Sequence, residues 1–400
     1  MRVAVIGGGA SGLMAALTAA QQGASVVLLE RQGRVGRKLL ATGNGRCNLT
    51  NLELSEKNYH GARPNFARPA LTAFGPEETL AFFRGLGLLT AAEAGGRVYP
   101  LSDQAGSVVD VLRFAAEGAG VETRADFDVT AIRRNGDGFS VCSDSGSVPA
   151  DRVVLCCGGM AGGRLGGTKS GYELLRALGH HVTKLYPALV QLRTDNTFVR
   201  SLKGVRADAG VRLERDGQAL AESAGEVQFA DYGVSGPAVF EISRAAATEP
   251  GELTIHLDLL RDMDFAEAAE TVEARRQALP GLTLENLLTG TVHNRLGRTV
   301  LRYAGYDLSA PVGGLRRRDV NRIAGALKDF VLPVTGTQGF EGAQVTAGGA
   351  RTDEFDPETL ESRLVPGLYA AGEVLDIDGD CGGYNLQWAW ASGRLAGMTK

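Results

Sequence analysis

The sequence predicts an α/β chain: a nucleotide-binding domain, residues 1–190 and 341–400, interrupted by a substrate or cap domain at 191–340. Three observations lead there. A strand, a glycine-rich turn, a helix and a second strand follow one another from the first residues. From about Tyr186 the pattern changes to alternating runs and then to helical ones, and after Glu341 the strand-and-glycine pattern returns. A chain of 400 residues also exceeds one ordinary core, so two domains are expected.

The opening unit is the clearest. Arg2 to Ile6 is a short apolar run, Ser11 to Gln22 has helical composition, and Ser25 to Glu30 is a second buried strand, which together read as βαβ. Between them lies Gly7-x-Gly9-x-x-Gly12, with Ala10 and Ser11 opening the helix, and Glu30 follows eighteen residues after Gly12. In this Rossmann-type context Gly7 makes the tight turn, Gly9 lets backbone reach a pyrophosphate, and Gly12 permits close helix packing. The helix N-terminus faces phosphate charge, and Glu30 accepts hydrogen bonds from a ribose diol. An acidic residue there favours an unphosphorylated ribose, hence FAD or NAD over NADP, although Arg31 follows it directly.

Pro76 to Leu89 and Gly106 to Glu117 have helical apolar spacing, Phe127 to Ile132 and Gly138 to Cys142 alternate as strands, and Asp151 to Cys157 is a buried strand ending in Gly158-Gly159. Within the insertion, Leu192 to Ser243 and Glu252 to Leu259 read as antiparallel strands; Phe265 to Ala278, Leu284 to Tyr303 and Arg318 to Phe330 read as helices. Gly367 to Glu373 is a strand entering a glycine-rich turn, Gly382-Gly383, and a final helix. That turn gathers backbone N–H groups and a helix dipole where a reduced flavin carries negative charge, with Glu373 placed to bond the ribityl hydroxyls. This decides for FAD over NAD.

Composition excludes several classes. A net charge of −4 gives no broad positive field for nucleic acid or anionic membrane. The runs Arg316-Arg317-Arg318 and Arg275-Arg276 read as solvated helix faces, so no nucleic-acid partner is expected. Val3 to Ala20 is nearly uncharged, but glycines between a strand-like and a helix-like segment do not suit a signal peptide or an anchor, so no membrane association and a cytoplasmic location are expected. The five cysteines have no CxxC spacing, which fits a reducing compartment. The five histidines are scattered, with surface or packing roles, and no metal-ligand cluster is visible.

The segment Ala41 to Asn51, ATGNGRCNLTN, holds a single cysteine. A dithiol–disulfide reductase needs a second thiol close by, commonly in CxxxxC, yet Leu52 stands five residues on and the next cysteine is Cys142. Cys47 is therefore read as a ring-facing side chain. It and Tyr384, beside the final turn, are the candidate catalytic residues, and the acid–base group is otherwise unassigned.

Several motifs together resemble one family. Gly7-x-Gly9-x-x-Gly12, Gly36-Arg37-Lys38-Leu39-Leu40, Gly43-Asn44-Gly45-Arg46-Cys47-Asn48, Gly96-Arg97-Val98-Tyr99-Pro100, Tyr186-Pro187-Ala188-Leu189, Ser235-Gly236-Pro237-Ala238 and the run from Gly372 to Gly393 are similar to the BaiN-like FAD-dependent, NAD(P)H-linked oxidoreductases. The resemblance spans the chain. It implies an insertion with a small β-barrel-like part (191–260) and a helical part (261–340). It implies FAD held by the glycine fingerprint and Glu30, by Arg37, Lys38, Asn44, Gly45, Arg46, Cys47 and Asn48, and by backbone near Val129. Gly158, Gly159, Gly372, Glu373, Gly383, Tyr384, Asn385 and Leu386 complete that implied set.

There are departures. Cys156-Cys157 stand where the family has Ala-Thr, Met160 to Gly171 lacks a proline common there, and Phe229-Ala230-Asp231-Tyr232 replaces a Thr-His pair. No second GxGxxG follows a strand between 150 and 340, so NAD(P)H is expected only as a transient donor. The expected activity is hydride transfer through flavin to a small organic acceptor, with an activated C=C bond as one candidate. A flavin-binding regulator or nucleic-acid-associated protein is the alternative.

Overall fold

The structure, a computed structural model, describes residues 1–398. The chain forms two compact units, Met1–Tyr186 with the chain from Gln344 onward, and Pro187–Ala343. The expected α/β architecture with a barrel-bearing insertion is present.

In the first unit a parallel sheet runs in the order Leu368–Ala370, Arg152–Leu155, Arg2–Ile6 (β1), Ser25–Leu29 (β2), Glu122–Arg124. β1 is central, and Val3, Ala4 and Val5 are fully buried, as a strand covered on both faces requires. Helix α1 (Ala10–Gln21) follows β1 and lies against the C-terminal helix Tyr384–Gly397. The two backbones come very close: a Cβ on Gly393 would stand 2.4 Å from the Ser11 carbonyl oxygen, and one on Gly397 would stand 2.6 Å from that of Ala15. This pins the first turn of α1 against the C-terminal segment, although the two are far apart in sequence.

Three smaller pieces complete the unit. Val129–Asn135, Gly138–Ser143 and Gly146–Ala150 form an antiparallel meander. Thr50–Asn51, Arg97–Pro100 and Thr90–Ala92 form a short sheet. Tyr59–His60 pairs with Asp378–Gly379 in a two-stranded ribbon.

The second unit carries a closed barrel in the order Leu192–Thr194, Gly233–Ser235, Gln218–Ala230, Arg206–Arg215, Leu253–Asp258, Phe330–Thr337. Alternation fills it: Val211, Leu213, Val227, Phe229, Ile255 and Leu257 are buried, and closure leaves no edge strand to protect. Helices Phe265–Ala278, Asn294–Tyr303 and Arg317–Lys328 make the helical part.

Two expectations are corrected here. The run expected to be strand as far as Ser243 ends at Ser235, and Pro237–Thr248 is a helix. Gly236 at φ +106° turns the chain, Pro237 suits the first helical position, and Ala238, Val239, Ile242 and Ser243 form one buried face. The helix expected over Leu284 to Tyr303 is a single 3-10 turn, Leu284–Asn286, and then a helix that starts at Asn294. Gly290 is left-handed at φ +84° and interrupts the run.

Candidate functional site

The fingerprint turn is built from backbone contacts. The Gly7 N–H donates to the Leu29 carbonyl at 2.8 Å. A Cβ on Gly12 would lie 1.8 Å from the Gly7 carbonyl oxygen, so only glycine fits there. Gly9 differs: it is the N-cap of α1, no side chain caps that helix, and a Cβ on it would meet nothing within 4 Å. The first-turn N–H groups of α1, which no helix can satisfy internally, carry the positive end of the dipole at this point.

Glu30, half-buried at the end of β2, accepts the Gly8 N–H on Oε2 at 2.6 Å and the Gln32 N–H on Oε1 at 2.7 Å. Its carboxylate is thus fixed beside that helix end, with lone pairs left over. Arg31 turns aside to the Gly166 carbonyl at 3.1 Å, and exposed Arg37 donates to Gln32 at 2.6 Å.

A second group gathers around Glu373. Lys38 Nζ lies 2.7 Å from its Oε2, and Oε1 accepts the Thr346 N–H at 2.9 Å. Gly159 sits against both, since a Cβ there would be 2.5 Å from Glu373 Oε1 and from Thr346 Oγ1. Gly158, at φ +69°, presents bare backbone with nothing within 4 Å of a Cβ position. Gly372 rests on the first turn of α1, where its Cβ would be 2.6 Å from Ser11 Oγ; its N–H is held by Ser392 and its carbonyl by Trp388 Nε1. Val129 is buried at the start of the meander.

In the glycine–asparagine loop Gly43, Asn44, Gly45 and Cys47 all have positive φ, the left-handed region open to glycine and, less readily, to asparagine. Asn44 and Gly45 are exposed at its tip. Arg46 lies over the Tyr99 ring at 4.1 Å and pairs with Glu93 and Asp103. Cys47 is fully buried, and burial pushes its thiol up to about 12, so it stays protonated at neutral pH. Burial also holds the Cys156 and Cys157 thiols well above their ordinary range. A thiolate nucleophile is not available at any of the three.

Asn48 meets the final turn. A Cβ on Gly383, φ +107°, would lie 2.9 Å from Asn48 Oδ1. That oxygen is buried with no hydrogen-bond partner among the described residues, an expensive state for a polar atom unless a ligand donates to it. Gly383 is the N-cap of the C-terminal helix, again without a side-chain cap. Asn385 is spent on the turn, bonding the Gly379 N–H and carbonyl and the Asp380 carbonyl. Tyr384 is buried edge-on to Tyr59, and Leu386 packs half-buried on the core. Trp388 and Trp390 are core residues.

One pair escaped the sequence reading. His60 Nε2 lies 2.6 Å from Asp380 Oδ1, both side chains about a third exposed, directly before the Gly382-Gly383 turn. The residues are 320 apart, and no local pattern links them; only the ribbon pairing does.

The site therefore offers two uncapped helix ends, two fixed carboxylates, bare glycine backbone and one orphaned buried acceptor. This set fits a dinucleotide carrying both phosphate and an imide-bearing ring.

The description "HI0933-like protein Rossmann domain" matches residues 1–399. A 3-dehydro-bile acid delta(4,6)-reductase of Clostridium scindens is 43% identical over 403 residues, covering 100% of this chain and 98% of its own. A ribosomal RNA dihydrouridine synthase of Escherichia coli is 32% identical over 392 residues, covering 97% and 95%. Among solved structures, a 3-ketosteroid delta1-dehydrogenase from Sterolibacterium denitrificans aligns over 99% of this chain and 98% of its own, at 14% identity and a TM-score of 0.49. On the full-length match and these identities, the chain belongs to the HI0933-like family of Rossmann-domain proteins.

Proposed function

We propose that this protein is an FAD-dependent oxidoreductase that reduces a C=C bond conjugated to a carbonyl in a small organic acceptor. The observation that carries the cofactor is the pairing of Asn48 Oδ1, a buried acceptor without a donor, with the uncapped N-terminus of the C-terminal helix. The pyrimidine edge of an isoalloxazine presents the complement, an imide N–H beside a carbonyl oxygen.

Bound FAD supplies the two-electron relay between donor and acceptor. The chain's own residues do the rest. The first turn of α1 (Ala10, Ser11, Gly12) and Gly9 hold the pyrophosphate, and Glu30 takes the ribose hydroxyls. Val129 lies on the adenosine side, with Arg31 and Arg37 at the rim. Lys38 steadies Glu373, which with Gly158-Gly159 and Gly372 lines the ribityl chain. Asn44 to Asn48 and Gly383 to Leu386 border the ring, and Cys47 contributes packing rather than charge.

The two named relatives support the acceptor. One name describes reduction in a 3-dehydro-bile acid at positions 4 and 6, the other formation of dihydrouridine. Both describe saturation of a double bond that a carbonyl activates. The higher identity is with the reductase of a small molecule, and the net charge of −4 gives RNA no general attraction, so a small acceptor is the reading taken. NADH or NADPH docks transiently as donor.

The test begins with purified protein. It should be yellow, with one FAD per chain, and should bleach anaerobically with NADH or NADPH. Colourless protein that takes up no FAD would end this reading. Polyanion binding that falls steeply with salt would transfer the substrate from small molecule to RNA.

A further inference from the structure

We infer that His60, held by Asp380, is the proton donor for this reduction; the inference rests on the function proposed above. Saturating a conjugated C=C adds hydride at one carbon and a proton at its neighbour, and the two candidate catalytic residues, Cys47 and Tyr384, are poorly suited to deliver the proton. Cys47 and Cys156 are buried thiols and Cys157 is a half-buried one, all held protonated, and Tyr384 is buried against Tyr59.

His60 is built for the task. The ribbon sets Tyr59 opposite Gly379 and His60 opposite Asp378. The alternation of a strand sends Tyr59 inward, where its hydroxyl donates to the Tyr384 carbonyl at 3.1 Å, and leaves His60 on the other face. The ribbon is clamped on both sides. The Asp380 N–H donates to the Asn58 carbonyl at 2.9 Å, and the Ala62 N–H donates to Asp376 Oδ2 at 3.1 Å. Gly61 lies so close that a Cβ would be 2.2 Å from the Asp376 carbonyl oxygen. Asp380 is oriented in turn by Asn58 Nδ2 on Oδ2 at 3.0 Å, leaving Oδ1 for His60 Nε2. An imidazole held this way has a fixed ring plane, and its Nδ1 has no hydrogen-bond partner among the described residues, the arrangement that general acids use.

The step balances. The reduced cofactor supplies the hydride and with it both electrons. The electron pair of the C=C bond takes the proton from Nδ1–H of the imidazolium, and His60 is left neutral with its remaining proton on Nε2 against Asp380. Being a third exposed, it recovers a proton from water. Asp380 acts as a positioning residue.

The experiment uses the FAD-loaded enzyme reduced anaerobically, then mixed with a 3-oxo-4-ene steroid acid or with ferricyanide, which accepts electrons without a proton at carbon. His60→Gln should bind FAD and reduce normally, reoxidise normally with ferricyanide, and reoxidise with the enone about 100-fold more slowly or worse. Asp380→Asn should lower kcat with KM little changed. In the apoprotein, His60 should react with diethyl pyrocarbonate, read by peptide mass spectrometry, and the steroid acid should protect it in the loaded enzyme. Equal enone rates in His60→Gln and wild type would overturn the proposal, as would an unprotected His60. A wild-type enzyme that no enone reoxidises would instead remove the function on which it rests.

Discussion

At the scale of single residues, the site depends on a few atoms that the protein leaves unsatisfied. Asn48 Oδ1 is the clearest, since burying an acceptor without a donor costs about 1–3 kcal/mol. Asn48→Leu should therefore split two measurements. The apoprotein should melt higher, by the equivalent of about 1 kcal/mol, while FAD affinity from fluorescence titration should fall about tenfold. A parallel loss of both would mean that Asn48 only supports the fold. The Gly43–Asn48 loop was picked out by its resemblance to a family motif, and its glycines and asparagine suit the positive φ found at Gly43, Asn44 and Gly45. The resemblance said less about individual side chains. Arg37 bonds Gln32, and Asn385 bonds Gly379 and Asp380. These partners are set by tertiary contacts that no spacing rule reports.

At the scale of elements, the turn from β1 into α1 separates folding from binding. Gly12→Ala places a Cβ 1.8 Å from a backbone oxygen, whereas Gly9→Ala places one in open space with ordinary φ and ψ. Gly12→Ala should lower the melting temperature of the apoprotein sharply. Gly9→Ala should leave it nearly unchanged and still abolish FAD uptake. If Gly9→Ala retains FAD, the pyrophosphate does not lie at this turn. The βαβ unit was legible because strand, glycines, helix and acid follow one another in register. The helix at Pro237–Thr248 was missed because its neighbours alternate as strands, although the Gly236-Pro237 start was a usable signal. The His60–Asp380 contact was not legible at all, because a two-residue ribbon leaves no periodicity.

At the scale of the whole molecule, one unit supplies the nucleotide fold and its fixed carboxylates, and the other supplies a closed barrel with helices. Glycine clusters marked the first and a change of periodicity marked the second, so the architecture was largely readable from composition along the chain. Among the described residues no helix is long and apolar enough to cross a membrane. What the chain reduces was not readable, since the acceptor is chosen by shape and by groups that different segments bring together. The most direct measurement is an anaerobic single turnover. The FAD-loaded enzyme, reduced stoichiometrically, is mixed with a 3-oxo-4,6-diene bile acid while the flavin absorption is followed. The oxidised flavin spectrum should return as one double bond of the acceptor is saturated. A reduced flavin that persists in the presence of conjugated enones, uracil nucleotides included, yet reoxidises with ferricyanide, would contradict the proposed function.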